Sequence, residues 1–366
     1  MTSSFTYASS GVDVEAGERA VELMRAAVAR AQRPETVGTF GGFAGLFDAS
    51  ALTKYKRPLL ATSTDGVGTK IAIARALDIH DTIGRDLVAM VVDDIVVCGA
   101  EPLFITDYIA VGRVNPQQIA DIVRGIATGC TLAGCALLGG ETAEHPGLMA
   151  PDEYDIAGAG TGVVEADALL GADRVRVGDV AIALGSSGLH SNGYSLARTV
   201  LLERASFALQ DQVAEFSRTL GEELLEPTRI YTQDCLALAR AESVGLHALT
   251  HITGGGVAAN IARVLPESAS LVIDRSTWSP PAVFALIGSA GPVERAELER
   301  TFNMGIGMLA LVDPTGADVA LQLLAERGVP AWVVGAVRQR DEVEVSDAAA
   351  KGGRGGVVRL VGEYQS

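Results

Sequence analysis

The run Leu59-Leu60-Ala61-Thr62-Ser63-Thr64 reads as a strand, and it ends in Asp65-Gly66-Val67-Gly68-Thr69-Lys70. A strand that stops in a two-glycine turn points to folds in which a sheet feeds a tight loop. The glycines let the backbone come close to a bulky anion. The carboxylate is suited to a hard cation and the lysine to phosphate oxygens. The bland alternative is a solvated turn with an Asp–Lys pair. The string is not a P-loop, because no Gly-Lys precedes Ser or Thr at the required spacing. Nor is it a dinucleotide fingerprint, because Ile71 stands three past Gly68. Gly185-Ser186-Ser187-Gly188 likewise misses the nucleophile elbow, because position 189 is Leu.

A chain of 366 residues exceeds what one hydrophobic core usually organises, so two domains are expected. We expect them at 1–168 and 175–345, with a loose Gly- and Ala-rich tail over 346–366. A net charge of −16 argues against nucleic acid as a partner, since phosphate backbones need clustered Lys and Arg. An anionic ligand would need a local cationic or metal-lined site. Cys98, Cys130, Cys135 and Cys235 form no C-x-x-C pair and read as thiols in a reducing compartment. No apolar run has the length of a membrane span, and no basic stretch precedes an apolar segment at the N-terminus. The expectation is a cytoplasmic protein with no membrane span.

Apolar spacing predicts a helix over 14–31, stopped by Pro34, and a buried helix over 82–98 that contains Asp93 and Asp94. An acidic pair in such a helix must be paired or metal-bound. Strands are expected over 102–111, 136–138 and 155–164, with a helix opened by Asn115-Pro116 between the first two. The second half repeats the alternation. Strands are expected at 180–184, 246–252, 305–312 and 331–337, and helices at 192–203, 228–241, 257–264 and 317–327. Residues 206–227 look like a surface insertion. The pattern makes the chain α/β, with an α+β character. Gly38 to Gly45, including Gly41 and Gly42, is either an anion-wrapping loop or a plain linker. Gly254-Gly255-Gly256 before a helix is either an anion site or a flexible turn. His247 and His251 share one strand face, but the glutamate of H-E-x-x-H is missing, so zinc is not expected there.

Eight strings in order then carry a resemblance: Tyr7 to Asp13, Thr64 to Lys70, His80 to Gly84, Gly99 to Phe104, Gly139 to Glu144, Gly185 to Leu196, His251 to Gly256 and Thr301 to Met308. Over about residues 5–340 the chain closely resembles the phosphoribosylformylglycinamidine cyclo-ligases, the aminoimidazole ribonucleotide synthetases of purine synthesis. The resemblance implies a two-domain fold whose first domain forms a homodimer through its sheet. It also implies a reaction: formylglycinamidine ribonucleotide and ATP give aminoimidazole ribonucleotide, ADP and phosphate. ATP phosphorylates the formyl amide oxygen, an amidine nitrogen attacks that carbon, and phosphate leaves. Phosphoryl transfer of this kind needs positioning and charge neutralisation rather than a covalent nucleophile.

By the same resemblance, Asp65, Asp94 and Glu141 would hold Mg²⁺ and the ATP phosphates. Gly66, Gly68 and Thr69 would shape the phosphate loop, Lys70 would supply charge, and Gly41 and Gly42 would close over nucleotide. Arg25 stands where relatives often carry Lys, and Asp93 where they often carry Asn. His190, Ser191 and Asn192 would meet the substrate, with Lys70, His190 and Asn192 taking catalytic roles; the alternative is that His190 merely caps the helix beginning near Asn192. Gly254, Gly255 and Gly256 are candidates for the ribose phosphate. The competing branches are selenophosphate synthetase, which expects a reactive residue before Cys98, and thiamine-phosphate kinase, which lacks the Ser-His-Asn string. A non-catalytic scaffold should have lost one of Asp65, Lys70, Asp94 or Glu141.

Overall fold

A computed structural model describes residues 11–38 and 41–365. The remainder of the Tyr7 to Asp13 string before Gly11, and Thr39-Phe40 of the glycine segment, lie outside the described residues. Helix α1 (Val14–Arg30) leads into the short pair β1 (Thr36–Val37) and β2 (Leu46–Phe47). Then come β3 (Pro58–Gly66), α2 (Ile71–Leu77), α3 (Asp81–Val96), β4 (Glu101–Val111), α4 (Pro116–Ala133), β5 (Ala136–Glu144) and β6 (Tyr154–Glu165). The first sheet runs β3-β6-β4-β5, and only β4 and β5 pair in parallel.

Local chemistry explains these elements. The Asp13 carboxylate caps α1 by accepting from the Ala16 N–H at 3.0 Å, and Ala20, Met24, Ala27 and Val28 form the buried stripe. Asn115 and Pro116 start α4, and Gly134 ends it at φ +74°. Helix α3 is buried along nearly its whole length. It can approach α4 because both helices carry glycine at the crossing: a Cβ on Gly84 would lie 2.2 Å from the Ile126 nitrogen. These helices cover one face of the sheet. The other face leaves Leu60 and Tyr108 exposed.

The second half holds β7 (Val180–Gly185), α5 (Tyr194–Arg198), β8 (Gln212–Val213), β9 (Arg218–Thr219), α6 (Leu220–Leu224), α7 (Thr232–Arg240) and β10 (Leu246–His251). It continues with α8 (Gly256–Ile261), β11 (Ala269–Asp274), α9 (Ala282–Ala290), α10 (Arg295–Thr301), β12 (Ile306–Val312), α11 (Ala317–Glu326), β13 (Ala331–Gln339) and β14 (Val357–Val361). Its sheet order is β10-β12-β7-β13-β11-β14.

Three expectations change. The tail over 346–366 is not loose: β14 pairs in parallel with β11, and Val357 and Val358 are buried. Residues 206–227 are not merely a surface insertion, because Leu220 and Leu224 are fully buried in the core shared with the first half. The expected helix 192–203 starts at Tyr194, after Gly193 at φ +80°, and continues as a wider π turn over Thr199–Arg204.

Candidate active site

The glycine turn sits where β3 leaves the first sheet, and it faces the second half across a cleft of about 980 Å³. Asp65, Gly66, Gly68 and Thr69 line it from β3 and its turn, and Asp94 from α3. Asp155 lines it from β6. Ser191, Asn192 and Ser195 line it from the second half, with Thr253, Arg263 and Lys351. The Thr69 and Ser195 hydroxyls meet across the cleft at 3.2 Å. Asn192 is fixed because its Oδ1 accepts from the Gly254 N–H at 3.0 Å. The sequence reading did not single out Asp155, Thr253, Arg263 or Lys351 for this site. Asp155 comes beside the turn because β3 and β6 pair with Asp65 opposite Gly158, a register that the fold and not the sequence spacing shows.

The acidic pair on α3 divides its labour. Asp93 is fully buried and accepts from the Tyr231 N–H at 3.1 and 3.2 Å and from the Thr232 hydroxyl at 2.9 Å. It thereby satisfies the open amide end of α7. Burial pushes its carboxyl up to about 7. Asp94 projects into the cleft and accepts from His251 Nδ1 at 2.9 Å. Burial opposes its charge, but the His251 contact wins and its pKa falls below the ordinary value. Burial chiefly raises the pKa of Asp65, and the neighbouring Asp94 charge adds to the rise. The two carboxylates therefore feel one another, which is the arrangement that a shared divalent cation relieves.

Lys70 departs from its expected role. Its ammonium is fully buried and donates to Asp86 Oδ1 at 2.9 Å, to the His190 carbonyl at 3.1 Å and to the Glu226 carbonyl at 2.6 Å. The 3-10 turn Gly68–Lys70 rotates it away from the cleft and into the junction of the two halves. Asp86 Oδ1 also accepts from the Thr228 N–H at 2.7 Å and from its hydroxyl at 2.6 Å. All three donors of the ammonium are taken, so none is left for phosphate.

His190 is also buried, and its Nε2 accepts from the Ser187 N–H at 3.2 Å. Burial first, then nearby cations, hold its pKa well below the ordinary histidine value, so the ring is neutral. Its backbone lies at φ +64°, a strained setting for a non-glycine residue, and this aims its carbonyl at Lys70. The ring does not line the cleft, so direct substrate contact is not what the fold gives it.

Glu141 is likewise separated from Asp65 and Asp94. Its strand β5 lies at the far edge of the sheet from β3, three strand spacings away, or roughly 14 Å at ~4.8 Å each. It lines a cavity of about 410 Å³ under α1 with Asp13 and Glu144. Among the described residues no three His, Cys, Asp or Glu side chains converge as a metal cage. Gly41 and Gly42 line a further cavity of about 960 Å³ with Arg25 and Arg33. Gly254–Gly256 stand behind Thr253, outside the cleft lining. Gly256 is explained by packing, since a Cβ there would lie 1.7 Å from the Glu299 carbonyl oxygen.

With this geometry in view, the comparisons are specific. Residues 47–164 match the AIR synthase related protein N-terminal domain, and residues 176–348 its C-terminal domain. The chain is 51% identical over 332 residues to the phosphoribosylformylglycinamidine cyclo-ligase of Myxococcus xanthus, covering 91% of this chain and 95% of that one. It is 50% identical over 335 residues to that of Anaeromyxobacter dehalogenans, covering 91% and 96%. The chain belongs to the phosphoribosylformylglycinamidine cyclo-ligase family. Among solved structures, it resembles thiamine-monophosphate kinase from Stenotrophomonas maltophilia, with TM-score 0.63, 18% identity and coverage of 95% and 97%. It also resembles hydrogenase maturation protein HypE in complex with ATP, with TM-score 0.62, 18% identity and coverage of 89% and 88%. At that identity the likeness is one of fold. Among the described residues no helix is long and apolar enough to cross a membrane.

Proposed function

We propose that the inter-sheet cleft performs the reaction of this cyclo-ligase family. ATP phosphorylates the formyl amide oxygen of formylglycinamidine ribonucleotide and leaves as ADP. An amidine nitrogen then attacks the activated carbon. Phosphate departs with the former amide oxygen, and the imidazole ring of aminoimidazole ribonucleotide closes. The observation that carries the reading is the meeting of Asp65 and Asp94 from the first half with Asn192 and Ser195 from the second in one cavity.

The donor set fits Mg²⁺. Two coupled carboxylates suffice, because this ion keeps waters and takes its remaining ligands from phosphate oxygens. Asp65 and Asp94 would hold it, with Asp155 close by. Bound there, the ion neutralises charge on the transferring phosphoryl group. His251 keeps the Asp94 carboxylate turned to the cleft. The backbone of Gly66 and Gly68 leaves room for phosphate, and Thr69 and Asn192 offer hydrogen bonds to orient the substrate. Gly41 and Gly42, with Arg25 close by, form a separate candidate wall for the nucleotide. Glu141 keeps a role toward nucleotide only from its own cavity.

The exposed face of β3, β6 and β4, with Leu60 and Tyr108, is the surface we assign to a homodimer. Four free cysteines and the use of ATP suit the cytoplasm. The test is ADP release with and without formylglycinamidine ribonucleotide. Release that depends on that substrate and disappears in Asp94→Asn is expected. Substrate-independent release in the parent protein overturns the reading.

A further inference from the structure

With Lys70 sealed away, the positively charged side chains that line the cleft among the described residues are Arg263 and Lys351. Lys351 stands on the connection between β13 and β14, past residue 348, where the C-terminal family match stops. It opens the string Lys351-Gly352-Gly353-Arg354-Gly355-Gly356, part of the stretch that sequence reasoning set aside as tail.

That string is fastened to the second half. The Lys351 N–H donates to the Ala259 carbonyl at 3.2 Å, and the Gly356 N–H to the Ala262 and Leu265 carbonyls at 3.1 Å each. A Cβ on Gly355 would lie 2.0 Å from the Ala262 carbonyl oxygen, so glycine permits this contact with the segment following α8. Ala348 and Ala350 pack on the core of the second sheet. Gly352 and Gly353 turn the chain at φ +97° and +119°, with open space on their outer side.

The two cations of the string have different destinations. Arg354 lies toward Glu267, at 3.9 Å. Lys351 lines the cleft and forms no ion pair among the described residues. Its charge reaches both Asp65 and Asp94 and favours their ionised forms. The cleft is thus polarised. Carboxylates line the first-half side, and Arg263 and Lys351 line the side of α8 and β14. A ligand with metal-bound phosphates at one end and a further anionic group at the other matches that polarity.

We propose that Lys351 is a binding residue of this cleft, and that its ammonium grips a phosphate group of a bound nucleotide. The inference rests on the cleft being the reaction site. Two sources share the chemistry: the ribose phosphate ester of formylglycinamidine ribonucleotide and the triphosphate of ATP.

The experiment measures ADP release by Lys351→Ala and Lys351→Arg while each substrate is varied in turn, with Asp65→Asn alongside. For Lys351→Ala, KM for one phosphate-bearing substrate should rise about tenfold, with kcat changed less than about twofold, the loss expected of one charge-assisted contact at a partly open site. Lys351→Arg should recover most of the loss, because the charge returns. A rise for formylglycinamidine ribonucleotide alone assigns the ester, and a rise for ATP alone assigns the triphosphate. Either result supports the proposal. Both KM values within about twofold of the parent overturn it, because a lost phosphate contact would exceed that change. Asp65→Asn separates the two levels. If it is inactive while Lys351→Ala is normal, only the Lys351 assignment falls. If it is fully active, the cleft reading falls as well.

Discussion

One six-residue turn serves two regions of opposite character. At its start, Asp65 stands in an open cleft beside Asp94, two carboxylates whose charges oppose one another. At its end, Lys70 stands in a closed junction where Asp86, the His190 carbonyl and the Glu226 carbonyl satisfy every donor. Every donor of the Lys70 ammonium is taken there, and the junction holds the halves together, with Asp86 Oδ2 buried without a hydrogen-bond partner. In the cleft, His251 pairs with Asp94, while Asp65 and Asp155 form no ion pair among the described residues. Unmet electrostatic demand at a cavity, rather than charge as such, separates a candidate site from a structural ion pair.

The contrast breaks most severely at Asp86. Asp86→Ala leaves the Lys70 ammonium buried without its carboxylate, which should remove about 3–5 kcal/mol of stability in denaturant unfolding. The paired change Lys70→Met with Asp86→Leu should not restore stability, because it leaves the His190 and Glu226 carbonyls and the Thr228 N–H and hydroxyl buried without partners. A wild-type midpoint for Asp86→Ala would mean that the Lys70–Asp86 pair does not hold the junction.

Asp65→Asn should show the opposite profile. Turnover should fall about 10²-fold or more, since a charge facing the phosphates is lost. Stability should be kept or slightly raised. The sign follows from linkage. Asp65 has a raised folded pKa, so the native state holds its proton more tightly than the unfolded state does. Its penalty is absent below the unfolded pKa and complete above the folded one. At neutral pH the amide removes that penalty. A variant that unfolds more easily at neutral pH than the parent contradicts this.

His251→Ala should have an intermediate effect. It frees Asp94 from its 2.9 Å contact, so the Mg²⁺ concentration for half-maximal ADP release should rise about tenfold. An unchanged magnesium dependence would show that Asp94 needs no support. The smallest effect on turnover is expected for His190→Asn. Asn tolerates a positive φ, so the carbonyl can keep its bond to Lys70. Turnover should stay within about tenfold, less than 1.4 kcal/mol on the barrier, although the lost ring lowers stability. A far larger loss would return His190 to the chemistry.

Legibility followed the range of the interactions. Helix α3, the Asn115-Pro116 start of α4 and the glycine turn after β3 are set by neighbours in the chain, and the sequence shows them. The direction of Lys70 is set by partners up to 156 positions away, so a lysine after a glycine turn looked like a phosphate ligand. Helical spacing alone does not separate Asp93 from Asp94; the resemblance chose Asp94 for the site, and the bonds from α7 show what occupies Asp93. Strand β14 was hidden because its glycine-rich approach resembles a loose end, and only pairing with β11 orders it. Glu141 failed to join Asp65 because strand order, which spacing does not encode, puts their strands at opposite edges.

The Lys70 junction also governs motion. Its ammonium ties a first-half turn to two carbonyls on separate second-half segments, so the halves share a fixed point. Opening by wide separation would have to break both of these bonds and the two that Thr228 donates to Asp86. The Asp93 bonds to Tyr231 and Thr232 and the Asp94–His251 contact tie the halves as well, so wide parting at the cleft is opposed at several points.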